Sequence, residues 1–244
     1  MNKELSNYFK HWEIYISQCS ANSHLKLTEL SNICQQTAAL HSAAWGMSYF
    51  DMQKFHQAWV LSTMRFEIFD LPIWHENIQS ETWIESLKGM RSIRDFEIKK
   101  GERVVARASS LWVVLNTEKR RPEPLAIPYD NLEQYPERKA TTIPTGRIDL
   151  TKPAVKVAER KVVYSDLDIV GHANNVKYME WCFDVMNREV FDKNQIQAMD
   201  LNYLKEIHFE DIVDIKMHSE EKFIYFYITR EDAICFALRI ELKS

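Results

Sequence analysis

A short segment around residue 170 concentrates the residue types that perform acid–base chemistry. Between Asp166 and Asn175 the chain holds two aspartates, a glycine, a histidine and two asparagines, directly ahead of an apolar stretch with helical spacing. The unpaired N–H groups at the start of a helix, and its dipole, favour a developing negative charge such as an oxyanion. Gly171 would let the backbone approach a substrate closely. The alternative is structural: Asp166, Asp168 and Asn174 cap the helix and shape a turn.

The chain that must position this segment has two similar halves. Six of the seven prolines lie between Pro122 and Pro153, close to a charged run at 118–121, which is typical of a linker. On either side the same order of patterns appears: a short strand, one helix and several long strands. An offset of 134 residues aligns 69–78 with 203–212, which indicates an internal duplication. The predicted domains are residues 1–125 and 156–244, joined by a linker at 126–155.

Apolar periodicity predicts the elements of each half. The first helix is expected to begin at Leu27, with Thr28 as its cap. The second is expected to run from 176 to 190 and to be buried on most sides, because apolar residues also lie off its main stripe. Strands are predicted at 58–69, 78–87, 90–99 and 103–116, and at 160–164, 203–209, 212–218, 223–229 and 233–242. This pattern predicts an α+β fold in which a curved antiparallel sheet wraps around a central helix.

Composition excludes several function classes. Five scattered glycines cannot form a G-x-G-x-x-G or G-x-x-x-x-G-K-[ST] loop, which excludes the glycine-dependent phosphate sites of dinucleotide and nucleotide triphosphate enzymes. A net charge of −4 predicts no binding of nucleic acid. No stretch approaches the roughly 20 apolar residues of a membrane span, and the first ten residues lack a signal-peptide core. Four cysteines without a C-x-x-C pair favour a reduced, cytoplasmic chain.

Residues 166–178 read Asp-Leu-Asp-Ile-Val-Gly-His-Ala-Asn-Asn-Val-Lys-Tyr. This run resembles the D-L-D-x-x-x-H-x-N-N-V-K-Y signature of the plant and bacterial acyl-acyl carrier protein (acyl-ACP) thioesterases. Stretches at 59–65, 79–83, 89–95 and 107–121 are similar to the first half of that family, so the resemblance covers most of residues 10 to 215. It implies a tandem, or double, hot-dog fold.

The resemblance also implies a set of catalytic residues. Asp168 and His172 match the aspartate and histidine of the family, and Glu206 matches its glutamate, which is placed on a following strand. Asp168 and Glu206 would supply the nucleophile and the base, in an order that the sequence leaves open. His172 would hydrogen-bond a carboxylate or the leaving thiolate. The backbone N–H of Gly171 or His172 would face the carbonyl oxygen that becomes an oxyanion.

The chain departs from the family at two positions. Val170 stands where the plant enzymes carry a catalytic asparagine, which argues against a mechanism that needs that amide. Ile207 stands where they often carry cysteine, which excludes a thiol nucleophile there. A third candidate, Cys182 in the apolar helix, is expected to be a core residue.

Three functions stay open at this stage. The first is hydrolysis of acyl-ACP in fatty acid biosynthesis, releasing free fatty acid, with ACP as the partner. The alternatives are a hot-dog thioesterase acting on acyl-coenzyme A and a non-catalytic acyl-binding protein. A DNA-binding regulator would need a helix-turn-helix and a basic surface, and neither is visible. The resemblance implies no cofactor, and the spacing of the histidines predicts no metal site.

Two further expectations concern substrate and assembly. The basic run at 119–121 is predicted to attract the acidic carrier protein, whereas most other basic residues are expected to be scattered solvated charges: Arg91, Arg94, Lys99, Lys100, Arg103 and Arg107. A subset of the seven tryptophans is expected to line an acyl tunnel. A tandem hot-dog already contains the pairing that single domains obtain by dimerising, so a monomer and a homodimer both fit.

Overall fold

The computed structural model describes residues 7–243, and the chain divides into two compact units between Thr145 and Gly146. The outermost residues of the predicted domains, 1–6 and 244, lie outside the described part. The segment up to Thr145 packs on the first unit: the Tyr135 N–H donates to the Ile84 carbonyl at 2.9 Å, and Trp83 Nε1 donates to the Arg138 carbonyl at 2.8 Å. The limits at 125 and 156 stay a prediction.

The first unit is an antiparallel sheet with a long helix. The elements are β1 (Asn7–Glu13), α1 (Leu27–Ala44), α2 (Tyr49–Gln53), β2 (Gln57–Ile68), β3 (Asn77–Lys88), β4 (Arg91–Lys100), β5 (Arg103–Asn116) and β6 (Arg121–Pro122). The strands run in the order β1-β3-β4-β5-β2, with β6 paired to β5. Helix α1 lies against β1 and β3.

Helix α1 follows its predicted apolar stripe but not its predicted cap. The stripe residues Leu30, Ile33 and Ala38 are buried. Thr28 lies inside the first turn and is itself buried, and the capping position is Lys26, which makes no side-chain cap bond. The cap prediction was therefore wrong, because the last residue with extended backbone precedes Leu27.

The second unit repeats this plan. Its elements are β7 (Val155–Lys161), α3 (Asn175–Phe183), α4 (Arg188–Asp192), β8 (Ile196–Tyr203), β9 (Ile212–Ser219), β10 (Phe223–Arg230) and β11 (Ala233–Leu242). The strands run in the order β8-β11-β10-β9-β7. The side chains of Met179 and Trp181 on α3, and of Phe226 and Phe236 on the central strands, are fully buried.

Three of the predicted elements in this unit differ from the structure by more than one residue. The helix predicted over 176–190 ends at Phe183, because Asn187 caps a separate helix, α4, by accepting the Glu189 N–H at 2.9 Å. The strand predicted at 160–164 ends at Lys161, before a 3₁₀ turn. The strand predicted at 203–209 is a loop: β8 ends at Tyr203, and the next two N–H groups both donate to one carbonyl, that of Cys235. The loop carries Glu206, which was expected on a strand.

Among the residues described, no helix is long and apolar enough to cross a membrane. The first unit contains a cavity of about 320 Å³, which lies within the range of small-molecule pockets. Its lining is mostly apolar. It includes Trp45, which directly follows α1, Trp59 on β2 and Trp112 on β5.

Candidate functional site

The segment ahead of α3 forms a tight loop. The Asp168 N–H donates to the His172 carbonyl at 2.8 Å, and the Gly171 N–H donates to the Asp168 carbonyl at 3.1 Å. Gly171 has a φ of +81°, in the left-handed region where glycine pays no steric cost. Asn174 caps α3 by accepting the Val176 N–H at 3.2 Å. Hydrogen bonds within the segment therefore fix where Asp168 and His172 stand.

The two aspartates of the segment have different environments. Asp166 is buried, accepts the Val163 N–H at 2.9 Å and pairs with Arg160 at 3.3 Å, so its role is structural. Asp168 is half-buried, and its Oδ1 accepts the N–H groups of residues 170 and 172 at 2.9 and 3.1 Å. Within the described residues, Oδ2 of Asp168 accepts no hydrogen bond. Asp168 thus holds the loop with one oxygen, and its other oxygen takes no part in holding it.

The same turn occupies the backbone donors that were predicted to face an oxyanion. The Gly171 N–H is bonded to the Asp168 carbonyl, and the His172 N–H is bonded to the Asp168 carboxylate, each at 3.1 Å. Either group can serve an oxyanion only if its bond within the loop opens.

Glu206 meets His172 because two loops are tied together. The Ala173 N–H donates to the Ile207 carbonyl at 2.8 Å, and the Ile207 N–H donates to Tyr178 Oη at 3.2 Å. These bonds hold the loop after β8 against the loop before α3. His172 Nε2 consequently lies 3.7 Å from Glu206 Oε2, although 34 residues separate the two in the sequence.

His208 adds a third side chain that the sequence did not predict. Its ring lies nearly perpendicular to that of His172, with the centroids 4.9 Å apart. Each of the three residues His172, Glu206 and His208 offers one possible ligand atom, and these three atoms lie within 4.8 Å of one another. Spacing gave no sign of this cluster, because its two histidines are 36 residues apart. The available signal was local: His208 stands two residues after Glu206, where side chains of an extended segment share a side.

The first unit contains the same pair of loops, with His24 as the counterpart of His172 but without the other groups. The Ser20 N–H donates to the His24 carbonyl, and the Leu25 N–H donates to the Pro72 carbonyl, both at 2.8 Å, as their counterparts do in the second unit. These bonds support the internal duplication. They also correct its register near Glu206, where the offset is 135 residues and not 134. The counterparts of Asp168, Glu206 and His208 are Ser20, Leu71 and Ile73. Two carboxylates are therefore not needed to close this fold.

None of the three other positions considered in the sequence supplies an accessible nucleophile or a side-chain amide. Cys182 is fully buried, as predicted, and burial raises the pKa of its thiol well above the ordinary value. Ile207 is also fully buried. Val170 is about half exposed and contributes its backbone N–H to Asp168.

The predicted basic residues separate into two groups. The run at 119–121 is exposed. Arg94 is an exception to the expectation that most of these residues are solvated charges. It is buried beside the cavity and donates to His41 Nδ1 at 2.8 Å, and burial lowers its pKa to about 9. Several of the others are paired with acids, as in Arg107 with Glu97 at 3.1 Å.

Comparison with known proteins identifies relatives that match most of the chain. The acyl-ACP thioesterase N-terminal domain family matches residues 6–135, and the C-terminal domain family matches residues 151–241. Oleoyl-acyl carrier protein thioesterase 2, chloroplastic, of Arabidopsis thaliana is 30% identical over 230 residues, covering 82% of this chain and 59% of that protein. Palmitoyl-acyl carrier protein thioesterase, chloroplastic, of Cuphea hookeriana is 26% identical, covering 79% and 48%. The chain thus spans about half to three fifths of the length of these curated relatives.

Two solved structures share the fold. An acyl-ACP thioesterase from Bacteroides thetaiotaomicron superimposes with a TM-score of 0.90 at 21% identity over 100% of both chains. The 12:0-ACP thioesterase from Umbellularia californica gives a TM-score of 0.81 at 18% identity over 98% of both. The chain belongs to the acyl-ACP thioesterase family and has its double hot-dog fold.

Proposed function

We propose that this protein hydrolyses the thioester of an acyl chain carried on ACP and releases the free fatty acid. One observation carries the proposal: the second unit joins Asp168, His172 and Glu206 on two tied loops, whereas the same loops of the first unit lack both carboxylates. Family membership gives the reaction class, because the relatives are named as acyl-ACP thioesterases and hydrolases.

Hydrolysis of a thioester needs a nucleophilic oxygen, a base and a proton for the leaving thiolate. In our proposal Asp168, with one oxygen fixed by the loop, attacks the carbonyl or orients the attacking water through its other oxygen. Glu206 takes the proton of the water. His172, 3.7 Å from Glu206, returns a proton to the thiolate. Neither an amide at position 170 nor a thiol at position 207 is required.

The two proposed roles of Asp168 can be separated in a single turnover in water enriched in heavy oxygen. If water attacks directly, the first molecule of fatty acid carries the heavy isotope. If Asp168 attacks, an acyl anhydride forms, and attack of water on its Asp168 carbonyl leaves the first product without the heavy isotope. Attack of water on its acyl carbonyl labels the product, and acylated protein found by mass spectrometry after acid quenching then identifies the anhydride. Asp168→Asn serves as the baseline for both outcomes.

The oxyanion needs a donor as well, and Gly171 remains our proposal for it. Its N–H donates a hydrogen bond to the Asp168 carbonyl at 3.1 Å. A substrate carbonyl seated on the loop would have to replace that bond. The place where a side chain would stand on Gly171 is open: among the described residues, no atom outside its chain neighbours lies within 4 Å of a Cβ built there.

Two features of the first unit support an acyl substrate on an acidic carrier. The apolar cavity of about 320 Å³, with its three tryptophans, has the chemistry that an acyl chain requires. The exposed basic run at 119–121 would attract a negatively charged protein, as complementary charge raises association rates.

Location and assembly complete the proposal. We expect a cytoplasmic protein of fatty acid biosynthesis, since all four cysteines are free thiols, as in reducing compartments. Homodimerisation stays a prediction of the sequence, and light scattering after size-exclusion chromatography measures it.

The function is tested by thiol release from one acyl chain presented on ACP and on coenzyme A. We expect a higher kcat/KM on ACP, and a large loss in Asp168→Asn and Glu206→Gln. A higher kcat/KM on coenzyme A would instead establish an acyl-coenzyme A thioesterase. Tight acyl binding without thiol release from either carrier would establish a non-catalytic binding protein.

A further inference from the structure

We propose that His172, Glu206 and His208 form a binding site for a divalent transition metal ion of the Zn²⁺ type, and that an ion bound there stops hydrolysis. The first statement concerns the cluster alone. The second rests on the proposed function, because it needs His172 and Glu206 to be part of the catalytic set.

The distances of the cluster approach those of a three-ligand site. The three ligand atoms lie within 4.8 Å of one another, and the pair His172 Nε2 and Glu206 Oε2 is already at 3.7 Å. Ligands about 2.0–2.2 Å from one zinc ion stand roughly 3–4 Å apart. Since Glu206 is half-buried and His208 is exposed, rotation of these two side chains can close the remaining distance.

The backbone holds two of the ligands in place. An isolated antiparallel bridge joins His172 and His208 directly. The bond from the Ala173 N–H to the Ile207 carbonyl, at 2.8 Å, lies beside this bridge. The backbone of the two histidines is therefore already fixed before an ion binds, so little backbone entropy is lost on binding.

Charged side chains lie beside one ring nitrogen of His208. Its Nδ1 lies 3.5 Å from Arg230 Nη1 and 3.7 Å from Asp211 Oδ2, and the His208 backbone N–H donates to the same oxygen at 2.8 Å. Asp211 in turn pairs with Arg230. Nε2 is therefore the ring nitrogen left for a metal, and a small shift of Nδ1 toward Asp211 would supply the carboxylate partner that metal-binding histidines characteristically have.

The donor set selects the kind of ion. Two imidazoles and one carboxylate suit Zn²⁺ and its neighbours, whereas Mg²⁺ and Ca²⁺ prefer oxygen ligands. Three protein ligands leave further coordination positions for solvent. The first unit serves as an internal negative, because the counterparts of Glu206 and His208 are Leu71 and Ile73.

An ion in this site would act on the reaction through the residues it holds. Coordination would occupy the His172 nitrogen that carries a proton in the proposed reaction and the Glu206 oxygen that acts as base. Both groups would be withdrawn at once, so hydrolysis would stop while the fold is retained. Chelation would restore the activity.

The test measures binding separately from activity. Untagged protein is titrated with ZnCl₂ by isothermal calorimetry, and CoCl₂ is added in parallel to record the visible absorption of Co²⁺ bound to protein ligands. The variants are His208→Ala and the bulkier His208→Gln, with His218→Ala as control. His218 lies 3.4 Å from Glu220 and so forms a histidine–glutamate pair outside the cluster.

We expect one Zn²⁺ per chain in wild type and in His218→Ala, and binding at least tenfold weaker in both His208 variants. Magnesium should not compete. Zn²⁺ binding that is as tight in the His208 variants as in wild type, or no Zn²⁺ binding at all, would overturn the site. Binding that depends on His208 but leaves the ratio of thiol-release rates with and without Zn²⁺ near one would overturn the inhibitory role. A wild type that releases no thiol even without metal would count against the proposed function and leave the calorimetric result valid.

Discussion

Asp168 performs two tasks that mutation can separate: it holds the loop before α3, and we propose that it takes part in hydrolysis. Its Oδ1 accepts two backbone N–H bonds, at 2.9 and 3.1 Å. In Asp168→Asn the amide oxygen can accept the same two bonds, but the charge is lost. In Asp168→Ala both bonds are lost.

The magnitudes follow from those two bonds. A bond to a charged group contributes about 1.5–3 kcal/mol and a neutral one about 0.5–1.5 kcal/mol. Because the loop is partly open to water, we take the lower end of each range. Asp168→Asn should then lower the free energy of unfolding by about 2 kcal/mol at most, and Asp168→Ala by about 3 kcal/mol. The rate of thiol release should fall by about 10²–10⁴ in both, since the carboxylate is gone.

The assay combines urea unfolding with thiol release from acyl-ACP. Asn22→Ala provides the matched control, because in the first unit Asn22 Oδ1 accepts the His24 N–H at 3.1 Å in the equivalent loop. That variant should lose stability and retain the rate per folded molecule. Wild-type activity in Asp168→Asn would refute the catalytic role. Equal instability of the Asn and Ala variants would refute the role in holding the loop.

Three further predictions concern stability, pH and partner binding. Gly171→Ala should lower the free energy of unfolding by about 1 kcal/mol, because the φ of Gly171 is +81°. Ser23→Gly at the equivalent position of the first unit, where φ is +68°, should not lower it. The midpoints of urea unfolding measure both effects. Burial raises the pKa of Asp95 from 3.8 to about 6, so the folded protein binds the proton more tightly, and stability should fall as pH rises from about 4 to 6. Asp95→Asn should flatten that dependence in unfolding curves, and an unchanged slope would contradict the assignment. Charge reversal at 119–121 should lower kcat/KM at low salt with acyl-ACP as substrate but not with acyl-coenzyme A. An equal effect of the charge reversal on kcat/KM for the two substrates would exclude docking of ACP there.

The sequence predicted strands well where alternation ends at a turn. The limits predicted for β5 and β11, 103–116 and 233–242, are those observed, because each strand begins after a tight turn. Prediction was wrong where a pattern continues through a break. The stripe of the second helix goes on in α4, and only the Asn187 cap shows that the helix has ended.

The candidate site shows the same division between local and long-range information. Asp168, Gly171 and His172 share one loop, so their proximity could be predicted from sequence. Glu206 came from resemblance alone, and its approach to His172 depends on bonds at Ile207 that no local pattern encodes. The approach of His208 to His172 depends on the same bonds, and its place two residues after Glu206 was the one local signal for it. The occupied N–H of Gly171 also follows from the closed turn and not from residue type.

The central claim, that the tied loops of the second unit hydrolyse the thioester, is tested most directly at Glu206. The measurement is single-turnover thiol release from acyl-ACP by wild type, Glu206→Gln and the control Glu210→Gln, which alters an exposed glutamate paired with Lys161 at 3.0 Å. We predict a rate about 10²–10⁴ lower in Glu206→Gln, at an unchanged urea midpoint, and a wild-type rate in Glu210→Gln. A Glu206→Gln protein that releases thiol as fast as wild type would contradict the account.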